Sequence, residues 1–170
     1  LEFGAGKSLE QNIFLSYQSK GKLDQTVIDV SNMLDIGLFN KANRQIAKIL
    51  NKNRRPFVQS IEDINKFYNI KYLAPYTIDE VEKTGLCFDA CISSTTLEHL
   101  PIKILNNIFT TLKKIVKKDG IILSLIDYSD HYSHTDDGIG HLNFLQYNEK
   151  DWQKYNTSYL FQNRLRHQDF

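Results

Sequence analysis

Four of the five histidines lie beyond position 130, and three of them fall in Asp130-His131-Tyr132-Ser133-His134-Thr135-Asp136-Asp137-Gly138-Ile139-Gly140-His141. Histidine changes charge near neutrality, so His131 and His134 are candidate catalytic bases, each able to take a proton from a hydroxyl while Asp130 or Asp136 orients the ring. Asp130, His141 and the isolated His99 are candidates for substrate contacts. His99 precedes Pro101 by two residues and can equally bond within its own turn. His131, His134, Asp136 and His141 also have the residue types of a metal site, but their spacing fixes no geometry and no metal ligand is assigned. The same loop can be a hydrogen-bonded lid without proton transfer, hinged at Gly138 and Gly140.

A second chemistry is written at the start of the chain, Leu1-Glu2-Phe3-Gly4-Ala5-Gly6-Lys7-Ser8. It reads as the end of an apolar strand, a glycine turn and the opening of a helix. Gly4 and Gly6 permit positive φ and leave no side chain between the main chain and a ligand lying across the helix N-terminus. Such a turn cradles a nucleotide-like molecule. A phosphate-binding P-loop requires a glycine five residues before Gly6, and that position holds Leu1. A dinucleotide fingerprint requires a third glycine where Leu9 stands. What remains is acidic-x-Gly-x-Gly, with Glu2 before the turn and Asp29 closing the next apolar run, Val27-Ile28-Asp29.

That pattern resembles motif I of the class I methyltransferases, which use S-adenosyl-L-methionine. The segment Leu86-Cys87-Phe88-Asp89-Ala90-Cys91-Ile92-Ser93-Ser94-Thr95-Thr96-Leu97-Glu98-His99-Leu100-Pro101 is similar to the family's fourth strand and the turn after it. Leu112 to Leu125 is similar to its helix, turn and fifth strand. The matches span roughly positions 1 to 127 in the family's order. The resemblance implies a three-layer, Rossmann-like α/β/α domain with a mostly parallel sheet and the cofactor at the carboxyl edges of strands one, two and four. The implied cofactor contacts are Glu2, Gly4, Gly6, Asp29, Ala74, Tyr76, Thr77, Ser93 and Ser94. Many members carry an acidic residue after the third strand for the adenine, where this chain has Ala74-Pro75-Tyr76-Thr77. The region 128–166 is similar to methyltransferases of polysaccharide gene clusters, which implies a small-molecule or saccharide acceptor. By the same likeness, a leading helix and two strands beyond the fifth are missing, so a chain truncated at both ends is expected.

Positioning these residues requires alternating strands and helices. Ser8 is expected to cap a helix with Leu9, Ile13, Phe14 and Tyr17 on one face. Thr26–Val30 reads as a buried parallel strand, adjacent to the first through a right-handed crossover. A helix is expected from Ser31 or Asn32 to about Lys52, with Leu34, Leu38, Ala42, Ile46, Ile49 and Leu50 inward, and Arg54 and Arg55 as a solvated end. Residues 57–69 read as a further helix and Ile70–Leu73 as the third strand. Cys87 through Ser93 forms the fourth strand; its two thiols would lie about 13 Å apart, too far to bond, and read as core thiols in a reducing compartment. The segment from Pro101 to Gly120 is the clearest amphipathic helix, with Lys113, Lys114, Lys117 and Lys118 in its last turn. Ile121–Asp127 is continuously apolar, hence a central fifth strand. In the tail, Asn148 can cap a helix presenting Trp152, Tyr155, Tyr159 and Leu160, and Asn163-Arg164-Leu165-Arg166 can meet an anionic acceptor.

At 170 residues, 41% hydrophobic, 24% charged and net charge +1, the chain is expected to form a single methyltransferase-like domain, with 1–127 as cofactor core and 128–170 as acceptor-side loop and tail. The neutral balance gives no reason to expect nucleic acid, and no apolar run approaches the roughly 20 residues that cross a bilayer. A cytoplasmic enzyme is expected. Two other classes stay open: a non-catalytic member that binds the nucleoside or a partner, and a nucleotide hydrolase built on Gly6-Lys7-Ser8 with Asp127 as its acidic metal ligand.

Overall fold

Short β-rich runs alternating with amphipathic helical segments leave each strand to be covered by helices, and the computed structural model, which describes all residues Leu1–Phe170, has that arrangement. The elements in chain order are β1 (Glu2–Phe3), α1 (Glu10–Gln18), β2 (Gln25–Ile28), α2 (Ile36–Ile49), α3 (Ile61–Tyr68), β3 (Ile70–Leu73), α4 (Ile78–Lys83), β4 (Phe88–Ser94), α5 (Ile102–Ile115), β5 (Val116–Leu125) and α6 (Glu149–Trp152), with single 3-10 turns at Leu97–His99, His131–His134, Asn143–Gln146 and His167–Asp169. The sheet is five-stranded and all-parallel, in the order β3-β2-β1-β4-β5. β1 pairs with β2 on one side, Glu2 opposite Val27 and Phe3 opposite Ile28, and with β4 on the other. The strand order therefore reverses between β1 and β4, the switch point of a Rossmann-like α/β fold. No helix is long and apolar enough to cross a membrane.

Contacts divide the chain into two compact units, 1–93 with 111–123, and 94–110 with 124–170. The first holds the core: Leu9, Ile13 and Tyr17 of the α1 segment, Val27 of β2, Phe39, Ala42 and Ala47 of α2, Ile64 and Tyr68 of α3, and Ile70 and Tyr72 of β3. Phe39 and Tyr68 meet edge to face at 4.9 Å. In the second unit Phe144 and Trp152 are buried against one another, ring centroids 5.8 Å apart.

Several local expectations change. α1 begins at Glu10 after Leu9, which adopts φ 50 without a side-chain cap, while Ser8 bonds Glu10 instead; Phe14 points to solvent. α2 starts at the cap Asp35, four residues beyond Ser31, which rotates its inner face onto Phe39, Ala42, Asn43 and Ala47 and leaves Leu38 and Ile49 exposed. Arg55 is not a solvated end. Its guanidinium donates to the carbonyls of Phe67 (2.7 Å) and Ser16 (2.8 Å) and lies over the rings of Tyr17 and Tyr68.

The lysine run behaves differently as well. α5 ends at Ile115, so Lys117, Lys118 and Gly120 belong to β5, where Lys117 pairs with Asp89 of β4 at 2.7 Å. β5 is last in the strand order, not central, and Leu123 is 64% exposed. An apolar run shows that a strand can be buried on both faces, but cover must also be supplied. Cys87 precedes β4 and is exposed, whereas Cys91 is buried, and burial pushes its thiol up to about 11. The tail forms only the four-residue α6 under its Asn148 cap, and Tyr159 is 97% exposed.

Candidate functional site

In the first unit the glycine turn follows β1 directly. Gly4 and Gly6 have φ 72 and 71, and the amide of Gly4 donates to the carbonyl of Ile28 at 3.1 Å. This bond carries the parallel pairing one step past β1 and sets the turn beside Asp29. Asp29 is 7% exposed; its amide donates to Leu73, its carbonyl accepts from Tyr76 at 2.8 Å, and its carboxylate takes a hydrogen bond from the Tyr72 hydroxyl. Burial raises its pKa, and the Tyr72 bond opposes the rise. Its second oxygen, Oδ2, is buried with no partner. An unbonded buried carboxylate oxygen is costly, so a donor is expected there.

The other expected cofactor contacts divide. Ala74, joined to Pro75 by a cis peptide bond, and Tyr76 follow β3 and pack near Asp29. Thr77 is engaged elsewhere: it caps α4 in a reciprocal box, its hydroxyl and amide both donating to the Glu80 carboxylate. Ser93 is buried near the end of β4, and Ser94 completes the strand, its carbonyl accepting from the Thr96 hydroxyl. Thr95, the next residue, has φ 47, a strained conformation for a β-branched side chain.

Glu2 is turned inward. Its carboxylate accepts from Asn12 of α1 at 2.7 Å, and the same amide reaches Gln25. Burial pushes its pKa up to about 7 despite the Asn12 bond. Glu2, Asn12 and Gln25 line a cavity of 440 Å³ with Leu86, Phe88 and Ala90, at the amino ends of β1, β2 and β4, the edge opposite the glycine turn.

In the second unit the histidine segment leaves β5 through Ile126 and Asp127. Asp127 Oδ1 accepts from the Ser129 hydroxyl (2.6 Å) and amide (2.8 Å), and Ser129 Oγ lies 2.9 Å from His134 Nε2. With the Ser129 proton directed at Asp127, Oγ accepts from His134, which leaves His134 Nδ1 as the basic nitrogen. Asp127 Oδ2 stands 3.6 Å from Nε2 of both His131 and His134, close enough for an ion pair with a protonated ring but not for a hydrogen bond. His131 stacks on His134 and tilts against His99, each at 4.9 Å between centroids. Its pKa is lowered, first by burial and then by His99, which favours the uncharged ring.

Of the remaining candidates, Asp130 is a fully buried structural residue, accepting from the amide of Tyr132 and the side chain of Asn143. His141 bonds Ser133 at 3.1 Å, and its carbonyl accepts from the Asp130 amide. His99 Nδ1 lies 3.0 Å from the carbonyl of Phe161. The arginines of the tail are also committed: Arg164 binds the carbonyls of Phe144 and Tyr147 and the carboxylate of Glu149, and Arg166 binds the backbone carbonyl of Tyr128. They hold the tail. Sequence reasoning missed Glu98 and Ser129 as site members and considered Asp127 only as the metal ligand of a nucleotide hydrolase. Glu98 stood next to His99 and Asp127 closed an apolar run, but only folding brings them to the histidines.

Compared with known protein families, with curated proteins and with solved structures, the chain matches none.

Proposed function

We propose that the chain binds S-adenosyl-L-methionine and transfers its methyl group to a hydroxyl of a small-molecule or saccharide acceptor. The observation that carries the reading is Asp29, a buried carboxylate closing β2 beside the Gly4-Ala5-Gly6 turn, with Oδ2 unbonded. A ribose diol supplies the donors such an oxygen lacks, and the turn gives a nucleoside close approach to the main chain. Bound there, the cofactor supplies a methyl on a sulfonium, which is already a good leaving group.

The chain's own residues then have three tasks. Gly4 and Gly6 cradle the cofactor, Asp29 holds its ribose, and Ala74 and Tyr76 border the base. A hydroxyl acceptor must also lose a proton, for which His134 Nδ1 is suited because Ser129 and Asp127 hold the ring. Glu2 and Thr77, expected cofactor contacts whose polar groups are engaged inside the protein, favour a second reading, a non-catalytic binding or interaction domain.

Calorimetric titration with S-adenosylhomocysteine, beside ATP with magnesium and NAD, tests the reading. Binding of the first alone, weakened about tenfold or more by Asp29→Ala at unchanged thermal stability, is expected. Equal affinity in the variant would remove the ribose assignment, and binding of ATP with magnesium would favour a nucleotide hydrolase.

A further inference from the structure

Glu98 is 1% exposed, yet only one of its oxygens is used: Oε1 accepts from the amide of Asp127 at 3.2 Å, and Oε2 is buried with no partner. His131 Nε2 is likewise buried and unbonded. The two residues that carry these orphaned atoms belong to one group, since a ligand atom from each of Glu98, His99 and His131 falls within 4.8 Å of the others. A carboxylate oxygen and an imidazole nitrogen left unbonded in one cluster are not satisfied by each other. Each can offer a lone pair to a cation, the imidazole in its Nδ1–H tautomer.

His99 completes the set in the required state. Its Nδ1 lies 3.0 Å from the Phe161 carbonyl, which can only accept, so Nδ1 carries the proton and Nε2 the lone pair. A main-chain carbonyl fixing the far nitrogen is the usual outer support of a metal-bound histidine. We propose that Glu98, His99 and His131 bind a divalent transition-metal ion of the zinc type. Two imidazole nitrogens and one carboxylate suit zinc, cobalt or iron better than magnesium or calcium, which prefer all-oxygen shells. Ligand atoms in a tetrahedral site stand about 3.3 Å apart, so the ligand atoms approach one another by about 1.5 Å at most on binding.

Three protein ligands leave a position open for a water or hydroxyl oxygen, whose pKa the ion lowers. Asp127 Oδ2, 3.6 Å from His131 Nε2, is placed either to join the shell or to orient that oxygen. The inference is independent of the methyl-transfer reading. If both hold, His131 is engaged at the metal and the proton acceptor is His134.

The test uses the full chain stripped with a chelator, titrated with zinc against a chromophoric competitor and with cobalt for its visible d–d absorption. One ion per chain is expected, with Glu98→Gln and His131→Asn each weakening binding about 100-fold or more and His167→Asn leaving it unchanged. Glu98→Gln keeps the oxygen that accepts from Asp127, and circular dichroism checks that both variants fold. Imidazole ¹⁵N resonances of the unaltered protein give a readout that needs no variant: those of His99 and His131 should shift with zinc while that of His167 stays. No stoichiometric binding by the stripped protein, binding retained in both variants, or shifts confined to the other histidines would overturn the proposal, whether or not S-adenosylhomocysteine binds.

Discussion

Replacing Glu2 by Gln should stabilise the protein, and by an amount that depends on pH. Glu2 is 3% exposed and its folded pKa is about 7, against 4.5 for the free side chain, because burial penalises the charged form more than the Asn12 hydrogen bond supports it. The folded state therefore holds the proton more tightly than the unfolded chain. Below pH 4.5 both states are protonated and Glu2 costs nothing; between 4.5 and 7 the unfolded chain ionises first, and stability falls as pH rises; above 7 the loss is complete. At 1.36 kcal/mol for each tenfold change in proton affinity, the interval corresponds to roughly 3 kcal/mol, a sizeable part of the 5–15 kcal/mol typical of a domain. Gln keeps an acceptor for Asn12 and removes the titration. Urea unfolding from pH 4.5 to 8.5 should show the two proteins alike at the acid end and the variant about 3 kcal/mol more stable at the alkaline end. A difference that stays constant across the range would mean that Glu2 is hydrated through the adjoining cavity and that the burial argument fails.

Arg55→Lys should lower unfolding stability by about 2 kcal/mol, since an ammonium cannot reach the Phe67 and Ser16 carbonyls together; a melting temperature equal to that of the unaltered protein would show the guanidinium bonds to be dispensable. Thr77→Ala should cost about 1 kcal/mol through loss of the α4 cap while leaving the S-adenosylhomocysteine affinity as it was. A fall in affinity without a fall in stability would return Thr77 to the cofactor. Asn163→Ala removes the donor to the carbonyls of Leu97 and Leu100 and should quicken hydrogen exchange over Gln162–Arg166; protection unchanged by the substitution would refute the tie.

The parts of the fold legible in the sequence are those set by local rules. Two glycines with positive φ, a short β-rich run ending in Asp29, and Ile70–Leu73 as a strand stopped by Pro75 all follow from backbone preferences within a few residues. Boundaries governed by competition were less legible. Val116–Gly120 reads as the end of a helix because lysines suit a helix C-terminus, yet Lys117 pairs with Asp89 and the segment extends β5. Arg55 reads as solvated because charged residues usually are, and only tertiary placement supplies the carbonyls and rings that accept it. The candidate site divides the same way. Asp29 was visible from the strand it closes, whereas the partners of the histidines, Glu98 and Asp127, lie about thirty and four residues from His131 and come together only through folding.

Among the charged and titratable candidates, the unbonded buried atoms distinguish residues that residue type does not, although Asn12 Oδ1 and Trp152 Nε1 are also buried without partners. Asp130, His141 and Thr77 are as polar as Asp29 and Glu98, and from the sequence all were comparable candidates or neighbours of candidates. In the folded chain Asp130 satisfies both oxygens within the protein, His141 is tied to Ser133, and Thr77 is closed into a cap. Asp29 Oδ2, Glu98 Oε2 and His131 Nε2 are left without partners. Leaving such atoms dry costs on the order of 1–3 kcal/mol each, and a fold that could satisfy them internally would gain that amount. Their persistence is what a binding site requires, because a group already bonded inside the protein has less to offer a ligand. The three atoms fall in two sets with different chemistry: one oxygen beside a glycine turn, suited to hydroxyl donors, and an oxygen with a nitrogen facing His99, suited to a cation. The two titrations, with S-adenosylhomocysteine and with zinc, therefore address separate sites, and the outcome of either leaves the other to stand on its own observation.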